Sequence, residues 1–252
     1  MREEAAELKR IGLLVREKLE SYSSTGEVVG MGADGTPTLD VDRAVEETII
    51  ESTEERFNLL SEECGYLDRG ADWTVIADPV DGTRNMIRGI PFYCTSLALL
   101  PGEKDDIGLD RVFYGMVLNL ALNELFESFR GEGALLNGKT LKGVPSKKVG
   151  NLVSLTTREI GDLGKRLKGW NIRALGAAAL EMCYVASGKL DIYYNDGKGL
   201  RITDIAASSL ILREVGGEIY DLTSSGRLKM GPSLAERAKV LAAREEVSGW
   251  LN

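Results

Sequence analysis

Apolar residues recur every three or four positions in two N-terminal stretches, and this spacing predicts two amphipathic helices. The first covers residues 3–20, and the second runs from about Asp40 to Thr53. The inward face of the first helix carries Leu8, Ile11, Val15 and Leu19. Between the helices lies GEVVGMGADGTPT, a polar and glycine-rich segment that predicts an irregular, mobile loop.

The pattern then changes to short apolar runs, which are typical of strands. FNLLSEECG predicts a short strand that runs into two glutamates. Further strands are predicted for WTVIAD, YCTSLALL, RVFYGMVLNL and NELFESF, with a hairpin turn near residues 121–123. GEGALLNGKTLKGVPSKKVG follows and is rich in glycine and lysine, which predicts a boundary between residues 1–140 and residues 141–252.

Strand and helix signals alternate after this boundary. NLVSLTT, KLDIYY, GEIYDL and KVLAA predict strands, whereas ALGAAALEMCYVASG predicts a helix. TDIAASSLILREVGG predicts a second helix with Thr203 as its cap and glycine as its stop, and a short C-terminal helix is expected from about Glu245. A mostly antiparallel first half followed by a βαβα second half predicts a layered α+β or α/β fold.

The composition is informative mainly through the chemistry that it excludes. The 252 residues contain no histidine, which rules out histidine general bases, Ser-His-Asp or Cys-His nucleophile systems and the usual zinc hydrolase sites. Carboxylates, hydroxyls, lysines or metal ions must therefore carry any catalysis. The three cysteines are far apart and form no CxxC pair, so they are interpreted as small core residues.

Net charge and hydropathy limit the classes of binding partner that the protein can have. The net charge of −8 argues against coating a nucleic acid, although a small phosphorylated substrate remains compatible if bound cations reverse the local charge. No segment approaches the roughly 20 apolar residues that span a bilayer. The charged N-terminus lacks a signal-peptide core. We therefore expect no membrane partner and a cytoplasmic location.

Several acidic residues stand at the ends of predicted elements rather than on helix faces. They are Asp34, Glu62, Glu63, Asp78, Asp81 and Asp204. Oxygen-only ligand sets suit hard cations such as Mg²⁺ or Mn²⁺. In DPVDGT, a tight turn can direct Asp78 and Asp81 to shared ions, with the Val80 carbonyl between them. Gly82 lets the backbone approach an anion closely, and Thr83 adds a hydroxyl. Taken singly, each acid also fits an exposed turn, a helix-terminal charge or a solvated side chain.

Three regions in this order resemble the signature regions of the inositol monophosphatase superfamily, whose members are Mg²⁺-dependent, lithium-sensitive phosphomonoesterases. The regions are SEE, WTVIADPVDGTRN and LRITDIAASSLILREVGG. GEGALLNGK and LGAAALEMCYVASGKLD agree with the same family, and together the matches cover nearly the whole chain. The loop GMGADGTPT resembles the archaeal branch, whose members commonly hydrolyse both fructose 1,6-bisphosphate and inositol 1-phosphate.

The resemblance implies a sugar-phosphatase fold with αβαβα layers, two or three Mg²⁺ ions with Mn²⁺ as an alternative, and a homodimer. It implies that Glu62, Asp78 and the Val80 carbonyl hold one metal and that Asp78, Asp81 and Asp204 hold a second. Asp34 would recruit a third with Glu62, while Thr83 and Asp42 would orient the attacking water. For the substrate, the resemblance implies contacts from Asp81, Gly82, Thr83, Arg173, Gly176, Ala177 and Ala178.

Two positions depart from the animal inositol enzymes. Thr203 replaces a tryptophan, and Asn195 replaces a glutamate that contacts inositol. Both changes weigh against inositol phosphate as the preferred substrate. Lys198 lies in the same stretch and could meet a second phosphate, although an ordinary solvent-facing loop explains it equally well.

The resulting hypothesis is a phosphomonoesterase that attacks fructose 1,6-bisphosphate or inositol 1-phosphate, or both, with metal-activated water. A nucleotide 3′-phosphatase acting on phosphoadenosine phosphate and an NADP phosphatase remain alternatives within the superfamily. A non-catalytic regulator that binds metal and anions is the alternative from another class.

Overall fold

The computed structural model describes residues 2–23, 25–54, 56–142, 151–157, 159, 161 and 163–244. Its helices are α1 (Arg2–Ser21), α2 (Asp40–Thr53), α3 (Thr83–Ile87), α4 (Leu163–Arg166), α5 (Ala178–Ala186) and α6 (Ile202–Arg213). Its first eight strands are β1 (Val28–Met31), β2 (Pro37–Leu39), β3 (Asn58–Ser61), β4 (Gly65–Leu67), β5 (Trp73–Asp81), β6 (Cys94–Pro101), β7 (Tyr114–Asn119) and β8 (Glu124–Phe129). The remaining strands are β9 (Ala134–Leu136), β10 (Lys139–Thr140), β11 (Leu152–Thr156), β12 (Asn171–Arg173), β13 (Ile192–Leu200), β14 (Gly217–Asp221) and β15 (Ala238–Arg244).

The larger sheet has eight strands in the order β10-β9-β8-β7-β6-β5-β3-β4. Its neighbours are antiparallel except for β3 and β5, which are parallel, so the predicted antiparallel first half is confirmed. Successive side chains of a strand point to opposite faces. Val75 and Ala77 accordingly pack into the core beneath α1 and α2, whereas Ile76 packs into the core that contains α5 and α6.

The smaller sheet has five strands in the order β12-β11-β13-β15-β14. Strand β11 pairs in parallel with both β12 and β13, and the other neighbours are antiparallel. One face packs on α5 and α6. On the other face, Leu163, Leu167 and Trp170 from α4 and the turn after it cover Val153 and Leu155.

Helices α5 and α6 lie between the two sheets and are apolar on nearly every side. All but two residues of α6 are buried. A helix that is hydrophobic all round must be covered on all sides, and two flanking sheets provide that cover. The layers are therefore α1/α2, larger sheet, α5/α6, smaller sheet and α4, which confirms the αβαβα architecture. Within the described ranges, the helices include none with the length and apolar character needed to cross a membrane.

Three local predictions differ from the structure. The glycine-rich segment is not irregular, because β1 and β2 form an antiparallel hairpin whose turn is closed by the Thr36 N–H donating to Asp34 Oδ1 at 2.7 Å. The cap of α6 is Arg201 rather than Thr203, since the Asp204 carboxylate accepts the Arg201 N–H at 2.6 Å and Thr203 is buried in the first turn. Strand β13 starts at Ile192, continues beyond the predicted KLDIYY strand and ends at Leu200.

Two other predictions fall at the limits of the described chain. The C-terminal helix expected from Glu245 lies outside the described residues, as do residues 143–150 of the predicted boundary segment.

Candidate active site

A cleft of about 890 Å³ opens where the two sheets meet the β1–β2 hairpin. Its volume is within the range of small-molecule sites. The cleft is lined by Val28, Thr36, Pro37, Leu39, Asp42, Glu62, Glu63, Gly82, Thr83, Arg84, Gly176, Gly197, Lys198, Arg201 and Arg237. Residues far apart in the sequence therefore share one cleft. The sequence-predicted site residues among them are Asp42, Glu62, Gly82, Thr83, Gly176 and Lys198.

A bulge in β5 explains how Asp78 and Asp81 can serve one site. In a regular strand, residues three apart point to opposite faces. Here Asp78 pairs with Ser96 and Asp81 pairs with Cys94, so β5 has one more residue than β6 between the two pairs. Such a bulge re-aims side chains, and proline is compatible with it because Pro79 has no N–H for the ladder. Both aspartates consequently interact with Asp204.

The two aspartates differ in their contacts. Asp78 is buried, and its Oδ1 has no hydrogen-bond partner among the described residues. Burial, followed by repulsion from Glu62, raises the pKa of Asp78 well above its ordinary value. Asp81 Oδ2 instead accepts the N–H of Ala179 at 2.7 Å in the first turn of α5. Burial and the nearby Asp204 still raise the pKa of Asp81 to about 8.

Glu62 and Asp204 complete this group of carboxylates. Glu62 follows β3, which runs parallel to β5, so the two strands end at the same edge of the sheet. Burial and repulsion by Asp204 raise the pKa of Glu62, and burial raises the pKa of Asp204. Glu63 also lines the cleft, but its side chain accepts a hydrogen bond from the Thr38 hydroxyl. The structure thus brings Glu62, rather than Glu63, to the two aspartates.

Thr83 and Asp42 form a pair beside these acids. The Thr83 hydroxyl lies 2.8 Å from Asp42 Oδ1 and 2.8 Å from the Val80 carbonyl oxygen. Because a hydroxyl carries one proton, it can donate to only one of these two acceptors at a time. Burial raises the pKa of Asp42 to about 6. The pair joins α2 to the start of α3 across the cleft floor.

An arginine that the sequence analysis did not assign lies among the acids. Arg201 is 8% exposed at its side chain and forms ion pairs with Asp34 and Glu62, the second with an Nη1–Oε2 distance of 2.5 Å. Arg237 Nη2 lies 3.8 Å from the same Asp34 oxygen. No group of three acidic or cysteine side chains among the described residues already has metal-site geometry. The structure therefore places Asp34 close to Glu62 but joins them through a guanidinium.

The candidate substrate contacts divide into two groups. Gly82 and Gly176 line the cleft, and Ala177 and Ala178 are buried directly behind them. Gly82 has a φ of +91°, and a Cβ there would lie 3.1 Å from both the Ala177 Cβ and the Phe92 carbonyl oxygen. The positive φ and this close approach between the halves of the chain both favour glycine at position 82.

Of the two basic residues predicted to contact the substrate, only one lines the cleft. Lys198 lines the cleft. Arg173 is exposed on β12, donates to the Ile172 carbonyl at 2.8 Å and does not line the cleft. Asn85, which the sequence analysis missed, donates its side-chain amide to the carbonyls of Phe92 and Leu175 at 2.8 and 2.7 Å. Its position as the last residue of the signature region WTVIADPVDGTRN was the available sequence signal.

The αβαβα layers together with the acid-lined cleft define the class of protein, which is a sugar-phosphatase fold with its cleft between the two sheets. The model of the inositol monophosphatase family matches residues 1–249. The chain therefore belongs to the inositol monophosphatase family.

Individual relatives agree with this assignment. A fructose-1,6-bisphosphatase/inositol-1-monophosphatase from Methanothermobacter thermautotrophicus is 35% identical over 217 residues, covering 80% of this chain and 77% of that protein. A bifunctional NADP phosphatase/NAD kinase from Methanocaldococcus jannaschii is 32% identical over 262 residues, covering 90% of this chain and 45% of that protein. The crystal structure of an inositol monophosphatase–fructose 1,6-bisphosphatase has a TM-score of 0.86 and 28% identity, covering 98% of this chain and 97% of that one.

Proposed function

We propose that the chain is a Mg²⁺-dependent phosphomonoesterase that hydrolyses fructose 1,6-bisphosphate, inositol 1-phosphate or both. The observation that carries this proposal is a group of four carboxylates next to the Thr83–Asp42 pair, in which Asp78 is buried and Glu62, Asp81 and Asp204 are partly buried. Four acids that are at least partly buried and repel one another are an unfavourable arrangement unless a cation compensates their charge. Family membership and the named relatives support the same activity.

The residues fit a divalent ion of the hard type. Every candidate donor is an oxygen, which is the ligand that Mg²⁺ prefers. Asp78 Oδ1 is buried without a hydrogen-bond partner among the described residues, as expected for an atom that ligates a cation. We propose Glu62, Asp78, Asp81, Asp204 and the Val80 carbonyl as ligands, and Asp34 as a further one. Two or three ions are expected, and Mn²⁺ is a suitable substitute.

Bound Mg²⁺ would neutralise the acids and the phosphoryl oxygens and would make water more acidic. Residues of the chain would accept the proton of the attacking water. With the Val80 carbonyl engaged elsewhere, the Thr83 hydroxyl donates to Asp42 and turns its lone pairs towards the cleft. The hydroxyl can then accept a hydrogen bond from water and orient it for attack on phosphorus. The N–H groups of Gly82 and Thr83 are proposed to receive the phosphate oxygens.

Basic residues on the cleft wall favour a substrate with a second anionic group. Arg84, Lys198 and Arg237 line the cleft together with Asp42, Glu62 and Glu63. A second phosphate within reach of Lys198 would make charge-assisted contacts there. Fructose 1,6-bisphosphate carries two phosphates, whereas inositol 1-phosphate carries one. NADP phosphatase is the second candidate function, because a relative of that name matches 90% of the chain and the dinucleotide also carries further phosphates.

Phosphate release with and without Mg²⁺ tests the proposal. The substrates are fructose 1,6-bisphosphate, inositol 1-phosphate, NADP⁺ and phosphoadenosine phosphate. Asp81→Asn and Asp204→Asn are expected to lower turnover nearly to background while circular dichroism reports a folded chain. Wild-type rates in either variant would refute the assignment. Mg²⁺ binding without release of phosphate from any substrate would favour a non-catalytic regulator.

Lys198→Met separates the substrate classes. Loss of one charge-assisted contact is expected to reduce kcat/KM for fructose 1,6-bisphosphate roughly 10- to 100-fold. It should leave kcat/KM for inositol 1-phosphate within about twofold, because that substrate has no second phosphate. Equal losses on both substrates would show that Lys198 acts on the shared phosphate or on the fold.

A further inference from the structure

Arg201 occupies a position that links three parts of the active site. It is the residue before the first turn of α6, and its N–H donates to Asp204 Oδ2 at 2.6 Å. Its guanidinium pairs with Asp34 on the β1–β2 hairpin and with Glu62 after β3, and Nη1 lies 3.7 Å from Asp204 Oδ1. One buried cation therefore contacts three of the carboxylates proposed as metal ligands.

The contacted atoms are the ones that a metal ion would need. Asp34 Oδ1 accepts the Thr36 N–H at 2.7 Å, and the Thr36 hydroxyl lies 2.8 Å from both Asp34 oxygens. Oδ2 also faces Arg201 and Arg237. Glu62 meets the guanidinium through Oε2. A divalent ion at these oxygens would lie beside the positive guanidinium, and like charges at that distance repel strongly. This repulsion means that the ion and the guanidinium would compete for these two carboxylates.

The guanidinium is also incompletely satisfied. Arg201 Nε is buried without a hydrogen-bond partner among the described residues. A dedicated structural arginine usually has its donors paired, since an unpaired buried donor is unfavourable. The side chain lines the open cleft, so it has a path out of the acid cluster. These features indicate that Arg201 neutralises the acids but is not held among them by a complete set of hydrogen bonds.

We propose that Arg201 is an internal counter-cation that competes with the divalent ions for Asp34 and Glu62, so that metal binding and release of the guanidinium occur together. The inference rests on the metal-dependent function proposed above. Release would not free the hairpin, because the N–H groups of Ala33 and Asp34 still donate to the carbonyls of Glu63 and Glu62 at 2.8 and 3.0 Å. Asp34 would thus remain in place to bind the ion.

The test measures metal binding directly rather than activity. Mg²⁺ is titrated by calorimetry into chelator-treated wild type, Arg201→Met and Lys198→Met. Methionine retains an unbranched side chain without charge. Arg201→Met is expected to bind Mg²⁺ at least tenfold more tightly than wild type. Lys198→Met removes the same charge from the same cleft without removing an ion pair to Asp34 or Glu62, and should change affinity by less than threefold.

Thermal unfolding gives a second, independent signature. In chelator, Arg201→Met should melt below wild type because the acids lose their counter-cation. In saturating Mg²⁺ the difference should vanish or reverse. Equal destabilisation with and without Mg²⁺, together with unchanged affinity, would overturn the proposal in favour of a structural role. Weaker Mg²⁺ binding by Arg201→Met would overturn it in favour of a supporting role at the metal site.

Two further measurements keep the inference testable if Arg201→Met does not fold. Arg201→Lys retains the charge but cannot pair with Asp34 and Glu62 through two guanidinium nitrogens. Its Mg²⁺ affinity should therefore be higher than that of wild type but lower than that expected for Arg201→Met. A crystal structure of wild type in Mg²⁺ should have the guanidinium beyond hydrogen-bond distance of Asp34 and Glu62, and retention of both contacts beside bound metal would refute competition.

If wild type binds no Mg²⁺, the proposed function fails as well. If wild type binds Mg²⁺ and releases phosphate while Arg201→Met is no tighter, only this inference fails.

Discussion

Asp42→Asn is expected to stabilise the Mg²⁺-free protein, and to do so more at pH 8 than at pH 4.5. Burial raises the pKa of Asp42 from an ordinary 3.8 to about 6. Folding is therefore opposed whenever the carboxylate must be ionised in its buried position. The stabilising contribution of the protonated form is complete below pH 3.8 and is lost as the pH rises through 6. Asparagine is neutral at every pH and retains an oxygen that can accept the Thr83 hydroxyl.

The magnitude follows from the shift in pKa. About two pKa units correspond to roughly 3 kcal/mol at pH 8, whereas only about 1 kcal/mol of this penalty applies at pH 4.5. The gain in unfolding free energy should therefore differ by about 2 kcal/mol between the two pH values. Any effect of the new amide on packing that does not depend on pH contributes equally at both pH values and drops out of this difference.

Urea denaturation in chelator at both pH values measures the effect. Asp105→Asn, a change on the exposed turn at Lys104–Asp106, is the matched control and should have the same small effect at both. An equal gain for Asp42→Asn at pH 4.5 and pH 8, or a larger gain at pH 4.5, would refute the reasoning. Saturating Mg²⁺ should reduce the gain at pH 8, because bound cations relieve the same charge.

Gly82→Ala should lose roughly 1–3 kcal/mol of unfolding free energy, because φ is +91° and the new Cβ would meet Ala177. Gly35→Ala has a similar φ but open space, so urea denaturation of both variants separates strain from contact. Asn85→Ala removes two partly buried hydrogen bonds and should lose about 1–3 kcal/mol of unfolding free energy, with calorimetric melting as the measurement and an unchanged Tm as the contrary result. Thr83→Ala should lower kcat roughly 10²- to 10⁴-fold, whereas Thr83→Ser, which retains the hydroxyl, should keep kcat within about tenfold of the wild-type value. Equal kcat values for the two variants would argue against a role of the Thr83 hydroxyl in proton transfer.

The strongest sequence predictions were those with a local physical cause. Apolar spacing defined α1 and α2 to within a residue or two, because an amphipathic face requires a fixed period. Alternation and turn residues identified the hairpin between β7 and β8 for the same reason. The absence of histidine limited the chemistry to oxygen donors, hydroxyls and cations before any contact was known.

Other features depended on distant parts of the chain. The bulge that lets Asp78 and Asp81 act together exists only in the pairing with β6. Asp81 is oriented by the Ala179 N–H, 98 residues away. Asn85 bridges to Leu175 across a similar separation. No local pattern encodes such contacts, since they arise when the halves pack.

Arg201 illustrates the boundary between the two kinds of information. The sequence by itself determined which acids the chain carries, which elements end in them and which family signature they form. The tertiary structure alone decided that a guanidinium lies between Asp34 and Glu62. The physical reason is that charge compensation in a buried cluster depends on distances in space. Those distances were fixed only when the β1–β2 hairpin, the edge of the larger sheet and the start of α6 met at one cleft.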